Sequence, residues 1–369
     1  MERKALFTPG PLSTSVETKN AMLVDVGSRT PEFINIIRET RVMLLEIAGV
    51  TARSYQAILM QGSGTYALEA YVRSCMNEDT ILLVLVNGEY GRRFAKIARD
   101  CGANTHVLTF RDTERIDPEK VKEFLTNRPD ITHVHAVHCE TTTGIINDVA
   151  AIGQLVHETA ERIFSVDAMS SLGAVPLALY GMHIDALISS ANKCIEGVPG
   201  IAFVIASTPL LERTGYGFMH STVLDLHEQL QYMNETGQFR FTPPTHVILA
   251  LHEALTALKK ESVIGRHDRY ARNARMIVDA FKSLGFETYL DESLLSNIIT
   301  TFKFPTDTFD FYAYYEHLEQ NGIILYPGKV TNEDTFRIGH IGQISYTDIQ
   351  LLTKLSYNYL KRGNREVLS

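Results

Sequence analysis

The chain has 369 residues, 45% hydrophobic and 21% charged, with 43 acidic against 35 basic side chains and a formal net charge of −8. That length supports a large core plus a smaller one, and an acidic balance with no run of five Lys or Arg argues against a nucleic-acid or anionic-membrane surface. Cys75, Cys101, Cys139 and Cys194 form no C-x-x-C pair, which fits reduced thiols, and no signal-peptide core or apolar run of roughly 20 residues is seen, so the expected location is cytoplasmic.

In chain order, MERKALFTPGPLST opens an extended, proline-bearing segment expected over 1–20. Short β-rich runs then alternate with helical segments. The runs are YQAILM (55–60), TILLVLV (80–86), NTHVLTF (104–110), ITHVHAVH (131–138), RIFSVDA (162–168), IDALISS (184–190) and GIAFVIAS (200–207). Several are apolar on both faces, as strands of a covered parallel sheet should be. TYALEAYVRSCM and YGRRFAKIARDCG between them carry helical spacing. The alternation predicts an α/β fold, with a large domain over 21–255 built on a mostly parallel central sheet covered by helices. Beyond about residue 245 a long helical stretch, HVILALHEALTALKKESVIGRHDRYARNARMIVDAFKSLGF, precedes short strands and another helix. This predicts a smaller C-terminal α+β domain over 256–369.

Parallel α/β sheets bind ligands at the carboxyl ends of their strands, so the residues following each run carry the functional signal. After QAILMQ comes Gly62-Ser63-Gly64-Thr65 and then a helix, whose first N–H groups and neighbouring hydroxyls suit a phosphate; the same turn also serves as a plain tight connection. After TILLVLV stands Tyr90, either packed or stacked on a flat ligand. Thr141, Thr142 and Thr143 precede Gly144, and either cap the next helix or meet a ligand. Asp167 ends RIFSV, and Lys193 stands where the strand IDALISS breaks into small residues and glycines. Lysine is rarely buried unless a partner or a chemical use offsets the loss of its water. Pyridoxal 5′-phosphate asks for this whole set: a lysine to form an imine with its aldehyde, a carboxylate to keep its ring nitrogen protonated, and N–H and hydroxyl donors for its phosphate. Lys193 then doubles as the base that moves the substrate proton.

The stretches LFTPGPLSTS (6–15), LMQGSGTYALEA (59–70), VHCETTTG (137–144), VDAMSS (166–171), LISSANKCIEGVPGIAFVIA (187–206), FRFTPPTH (239–246), LYPGKV (325–330) and FRIGHIG (336–342) carry a resemblance to a known family. Over essentially the whole chain the sequence resembles the class-V, fold-type-I aminotransferases, the group that includes alanine:glyoxylate aminotransferase, and among them the branch acting on aminophosphonates. The resemblance implies a pyridoxal 5′-phosphate enzyme that transaminates 2-aminoethylphosphonate with pyruvate, giving phosphonoacetaldehyde and L-alanine. It matches Lys193 to the imine lysine, Asp167 to the partner of the ring nitrogen, and Tyr90 to the residue stacked on the ring. Ser63, Gly64 and Thr65 match the phosphate cup, and Thr141 a hydroxyl near the cofactor's ring oxygen. Thr242 matches a residue reaching the neighbouring subunit's phosphate, which implies a homodimer with shared active sites. Arg337 matches the arginine for the substrate's anionic end, a role its planar fork suits on chemical grounds too. DVGSRTPEF (25–33) is less specific to this branch, and Arg29 is either an anion contact or an interface residue. The alternatives are an alanine- or serine:glyoxylate-type aminotransferase, or a lyase with the same cofactor acting on a hydroxylated aminophosphonate. A nucleotide site built on GSGT lacks the G-x-x-x-x-G-K-[ST] spacing and gives Lys193 no role.

His133 and His135 share one strand face and His138 the other, with no ligand to complete a tetrahedral set, so no metal site is expected. RHDRYARNAR (266–275) reads as a solvated or domain-bridging helix face.

Overall fold

The computed structural model describes residues 4–214, 221–328, 330 and 333–366. Its centre is a seven-stranded sheet in the order Tyr55–Gln61, Ile201–Ser207, Ala186–Ser190, Ile163–Asp167, His133–Val137, Ile81–Val86, Asn104–Thr109. Every strand points the same way except Ile201–Ser207, which runs antiparallel to both its neighbours. All seven expected runs became strands, trimmed by one or two residues at most ends.

The two-faced apolar character of the runs has a direct structural cause. Along Tyr55–Gln61, Ala57 and Leu59 enter one core and Ile58 and Met60 enter the other, as a side-chain period of two dictates. Helices Pro31–Ile47 and Thr245–Glu261 cover the first face, while Gly64–Cys75 and Glu89–Asp100 cover the second. Six strands therefore end along the same edge, and Gln61, Val86, Val137, Asp167 and Ser190 bring the polar residues that follow them into one neighbourhood.

The long helical stretch divides. Helix Thr245–Glu261 ends at Ser262, which has φ 69° and whose side chain accepts from Gly265 N–H to cap helix Val263–Ser283. Buried Ile248, Leu251 and Leu258 of the first helix join the large core, whereas Ile277 and Phe281 of the second join a separate, phenylalanine-rich core with Phe286, Phe302 and Phe336. Val263 still packs against the large core, so the crossing between cores takes place along the second helix, and residue 255, the expected limit, lies inside the first. A serine reads as one more polar helix residue in a periodic pattern, which is why the break was not visible in the sequence.

The second core sits on a small antiparallel sheet of Ile299–Lys303, Thr335–Gly339 and Tyr326–Pro327. The N-terminal segment joins this distant unit. Ala5–Leu6 pairs in parallel with Ile323–Ile324, and Phe7 is buried among the C-terminal phenylalanines. Gly339 lets the two backbones meet: its N–H donates to Phe7 O at 2.9 Å, and a Cβ there would lie 2.3 Å from Thr8 O. Gly339→Ala is expected to lower stability by about 1–3 kcal/mol and to expose residues 4–15 to proteolysis, readable by thermal unfolding and limited digestion.

Candidate active site

Along the carboxyl edge of the sheet, one cavity is lined by Gly10, Ser63, Gly64, Thr65, Tyr90, Arg93, Cys139, Asp167, Met169 and Lys193, among others. Lys193 follows strand Ala186–Ser190 in a turn closed by Gly197 N–H donating to Ala191 O at 2.8 Å. The turn is tied from below. Arg266 donates to the carbonyls of Cys194 and Ile195 at 2.9 and 3.0 Å, and buried Glu196, at φ 64°, accepts from Arg269 at 2.8 Å and from the Tyr270 hydroxyl. Lys193 Nζ donates to Pro9 O at 2.7 Å. Burial lowers its pKa, with the Arg337 charge adding to the effect, so a larger share of the amine is neutral and nucleophilic. Gly10 makes room for this approach: at φ 108°, any Cβ would lie 2.4 Å from Lys193 Cδ.

Asp167 ends the central strand Ile163–Asp167 and is buried. One oxygen accepts from Met169 N–H at 2.9 Å, and no ion pair satisfies the carboxylate among the described residues. Burial is the main reason its pKa rises to about 6, reinforced by the Glu140 charge and opposed by Lys193 and Arg93.

Ser63 occupies the N-cap position of helix Gly64–Cys75, but its hydroxyl makes no capping bond, which leaves the helix N-terminus open for an anion. Ser63 and Thr65 are exposed. Gly64 is needed for packing, because a Cβ would lie 2.3 Å from Met169 Sδ. Thr141 is buried and its hydroxyl has no hydrogen-bond partner among the described residues. Of the three threonines, Thr142 does cap a helix: its hydroxyl accepts from Glu89 N–H at 2.9 Å, at the start of Glu89–Asp100. The following helix, Val149–Thr159, is capped by Asp148.

Arg337 lies on the small sheet but reaches across to the large unit, donating to Thr141 O at 3.0 Å and Pro327 O at 3.1 Å and sharing a hydrogen bond with Tyr90. It is 3% exposed and has no ion pair among the described residues, so it is not an arginine engaged in a surface ion pair. Thr242 is exposed and does not line its own chain's cavity; its carbonyl accepts from Gln61 at 2.6 Å. Arg29 is exposed as well. The strand histidines are core residues with hydroxyl partners: Thr132, Ser165 and Ser171 each lie 2.8 Å from Nδ1 of His133, His135 and His138 in turn. Burial pushes these rings to about 4, 3 and 4, so all three are neutral.

Two residues of the site had no sequence assignment. Glu140, fully buried, accepts from Tyr90 N–H at 3.1 Å and Gly91 N–H at 3.3 Å, fixing the helix turn that carries Tyr90. Gly88 is its complement, since a Cβ there would fall 2.3 Å from Glu140 Cδ. The signal was a glutamate inside the strand-end stretch HCETTTG. Arg93 was hidden in the charged face of its helix.

The class-V aminotransferase family matches residues 16–344. This chain belongs to that family. A 2-aminoethylphosphonate–pyruvate transaminase of Lysinibacillus sphaericus is 42% identical over 99% of this chain and 100% of that protein. A transaminase of the same description from Pseudomonas putida is 42% identical over 94% of each chain. Among solved structures, ureidoglycine–glyoxylate aminotransferase of Bacillus subtilis has TM-score 0.90 at 23% identity, covering 99% of this chain and 94% of that one, which shows the same fold.

The family's cofactor is pyridoxal 5′-phosphate. The cavity fits it on three counts: an under-neutralised buried carboxylate for a cationic ring nitrogen, an uncapped helix start for a phosphate, and a primary amine of lowered pKa between them. Without the cofactor, charged Asp167 should destabilise the protein. Its folded-state pKa lies above the ordinary 3.8, so the penalty is absent below about pH 4, grows as pH rises through about 6 and is complete above that. A rise of that size corresponds to roughly 3 kcal/mol. Cofactor-stripped Asp167→Asn is therefore expected to unfold at higher temperature than stripped wild type at pH 7.5, with the gap closing near pH 4. The reconstituted variant should lose at least about a hundredfold in turnover.

Proposed function

We propose that this aminotransferase moves the amino group of 2-aminoethylphosphonate to pyruvate, forming phosphonoacetaldehyde and L-alanine. The observation that carries the reading is full-length similarity, at 42% identity, to a protein described by that activity. A relative from Clostridioides difficile, 41% identical over 97% of this chain, is described as a bifunctional phosphonoacetaldehyde hydrolase and aminoethylphosphonate transaminase, which fits use of the reaction to degrade the aminophosphonate.

Lys193, Asp167, Ser63, Gly64, Thr65, Tyr90 and Thr141 are the residues we assign to the cofactor. Bound there, it supplies an electron sink for the negative charge left when the substrate carbon loses a proton. Asp167 holds a proton on the ring nitrogen, and its burial makes that pairing strong. The open start of helix Gly64–Cys75, with the Ser63 and Thr65 hydroxyls, takes the phosphate. Lys193 Nζ would hold the cofactor and, once displaced by the substrate amine, would be the base that takes the proton from the amine-bearing carbon and delivers it to the carbon on the far side of the nitrogen. Its lowered pKa suits a base at neutral pH. Arg337 receives the anionic end of each substrate in turn, because its fork is held open by Thr141 O and Pro327 O.

The reading includes a homodimer in which Thr242 of the partner subunit reaches the phosphate. What supports a second copy is an apolar face beside the cup: Leu23, Val24, Tyr66 and Phe241 are 80, 58, 56 and 47% exposed. The segments bearing these residues lie near one another, since Asp25 meets His246 at 3.1 Å and Gln61 meets Thr242. Small-molecule substrates in the cytoplasm are the expected setting.

Adding 2-aminoethylphosphonate to the holoenzyme should convert the cofactor's visible absorbance to that of its amine form. Conversion by alanine and serine but not by the phosphonate would instead place the chain with the glyoxylate-type enzymes, and ammonia without alanine would indicate a lyase. Lys193→Ala should fold, yet fail to turn over and escape borohydride labelling. Leu23→Glu with Phe241→Glu should shift the protein from dimer to monomer by light scattering and weaken cofactor affinity at least about tenfold.

A further inference from the structure

The cavity neighbourhood holds one guanidinium more than a monocarboxylate needs. Arg337 is hydrogen-bonded to the Tyr90 side chain, and Arg93 lies over the same ring, its Cζ 5.0 Å from the centroid. Arg93 also lines the cavity shared by Asp167 and Lys193. Its helix neighbour Arg92 is engaged by Glu89 at 2.7 Å, but Arg93 has no carboxylate partner among the described residues. Arg337 has none either, since its bonds go to carbonyl oxygens and Tyr90. Buried Glu140 is occupied by the N–H groups of Tyr90 and Gly91 and by Thr142, while Asp167, across the same cavity, feels the Arg93 charge without forming an ion pair with it among the described residues. Two guanidinium groups thus meet one tyrosine.

We propose that Arg93 is the second cation of the substrate's anion site, so that Arg93 and Arg337 together favour a doubly charged phosphonate over a singly charged carboxylate. The inference rests on the transamination proposed above. A phosphonate presents three oxygens and a second negative charge, enough to engage two planar forks from different directions, whereas a carboxylate saturates one fork. The cofactor's phosphate is a competing source of the same chemistry, but the open N-terminus of helix Gly64–Cys75 already serves it. Arg93 is exposed, and the face of Tyr90 orients its guanidinium.

The test compares wild-type holoenzyme with Arg93→Gln and Arg93→Lys. In Arg93→Gln, kcat/KM for 2-aminoethylphosphonate should fall about a hundredfold, through KM, with the loss on alanine at least tenfold smaller; lysine should restore part of it. Titration calorimetry with methylphosphonate and acetate gives a readout independent of turnover. Wild type should prefer methylphosphonate, and the preference should collapse in Arg93→Gln with cofactor affinity retained. Equal losses on both substrates, an unchanged methylphosphonate preference, or weakened binding of pyridoxal 5′-phosphate would each overturn the assignment, the last by giving Arg93 to the cofactor. A wild-type enzyme that ignores 2-aminoethylphosphonate would defeat the proposed reaction instead, and the methylphosphonate titration would still decide whether Arg93 serves a dianion.

Discussion

Charge without a counter-charge is the constraint around which this protein is arranged. Asp167 is sealed at the end of a central strand with one N–H donor, and Arg337 is buried with carbonyl oxygens as its main company. In a self-sufficient core each would be paired, because an isolated buried charge is expensive. Both are left for partners from outside the chain under the assignments proposed above.

The scaffold tolerates this because the charges come from elements fixed by unrelated packing. The central sheet gives Asp167 its position through ladders to Val137 on one side and Ile188 on the other. The turn bearing Lys193 is clamped by Arg266 and Arg269 of helix Val263–Ser283, so the lysine is held from an element distant in sequence. Tyr90 is set by Glu140 through its backbone, which frees the ring and hydroxyl for other contacts. Function thus sits on loops whose ends are rigid.

Much of this was legible in the chain because it is local. A strand end followed by a carboxylate or a lysine is contiguous text, and so Asp167, Lys193, Tyr90 and the Ser63 to Thr65 turn were found where they lie around one cavity. What escaped was the matching of distant residues. Gly10 is required by Lys193, Gly88 by Glu140, and Gly339 by Thr8, and each pair is separated by a stretch of sequence that gives no hint of the contact. Arg93 escaped for a different reason: one arginine in YGRRFAKIARD looks like any other until the fold turns it toward a tyrosine face. Thr242 was read from resemblance alone, and it is exposed and outside the cavity lined by Lys193.

The early strand Ala5–Leu6 has a consequence for biogenesis. Its partner, Ile323–Ile324, leaves the ribosome more than three hundred residues later, and Pro9 and Gly10 hang from that pairing to form the seat of the lysine. Contacts so far apart in the chain close late and slowly. A nascent polypeptide could build its central sheet during synthesis and still leave Lys193 without the Pro9 carbonyl until Ile323–Ile324 has emerged.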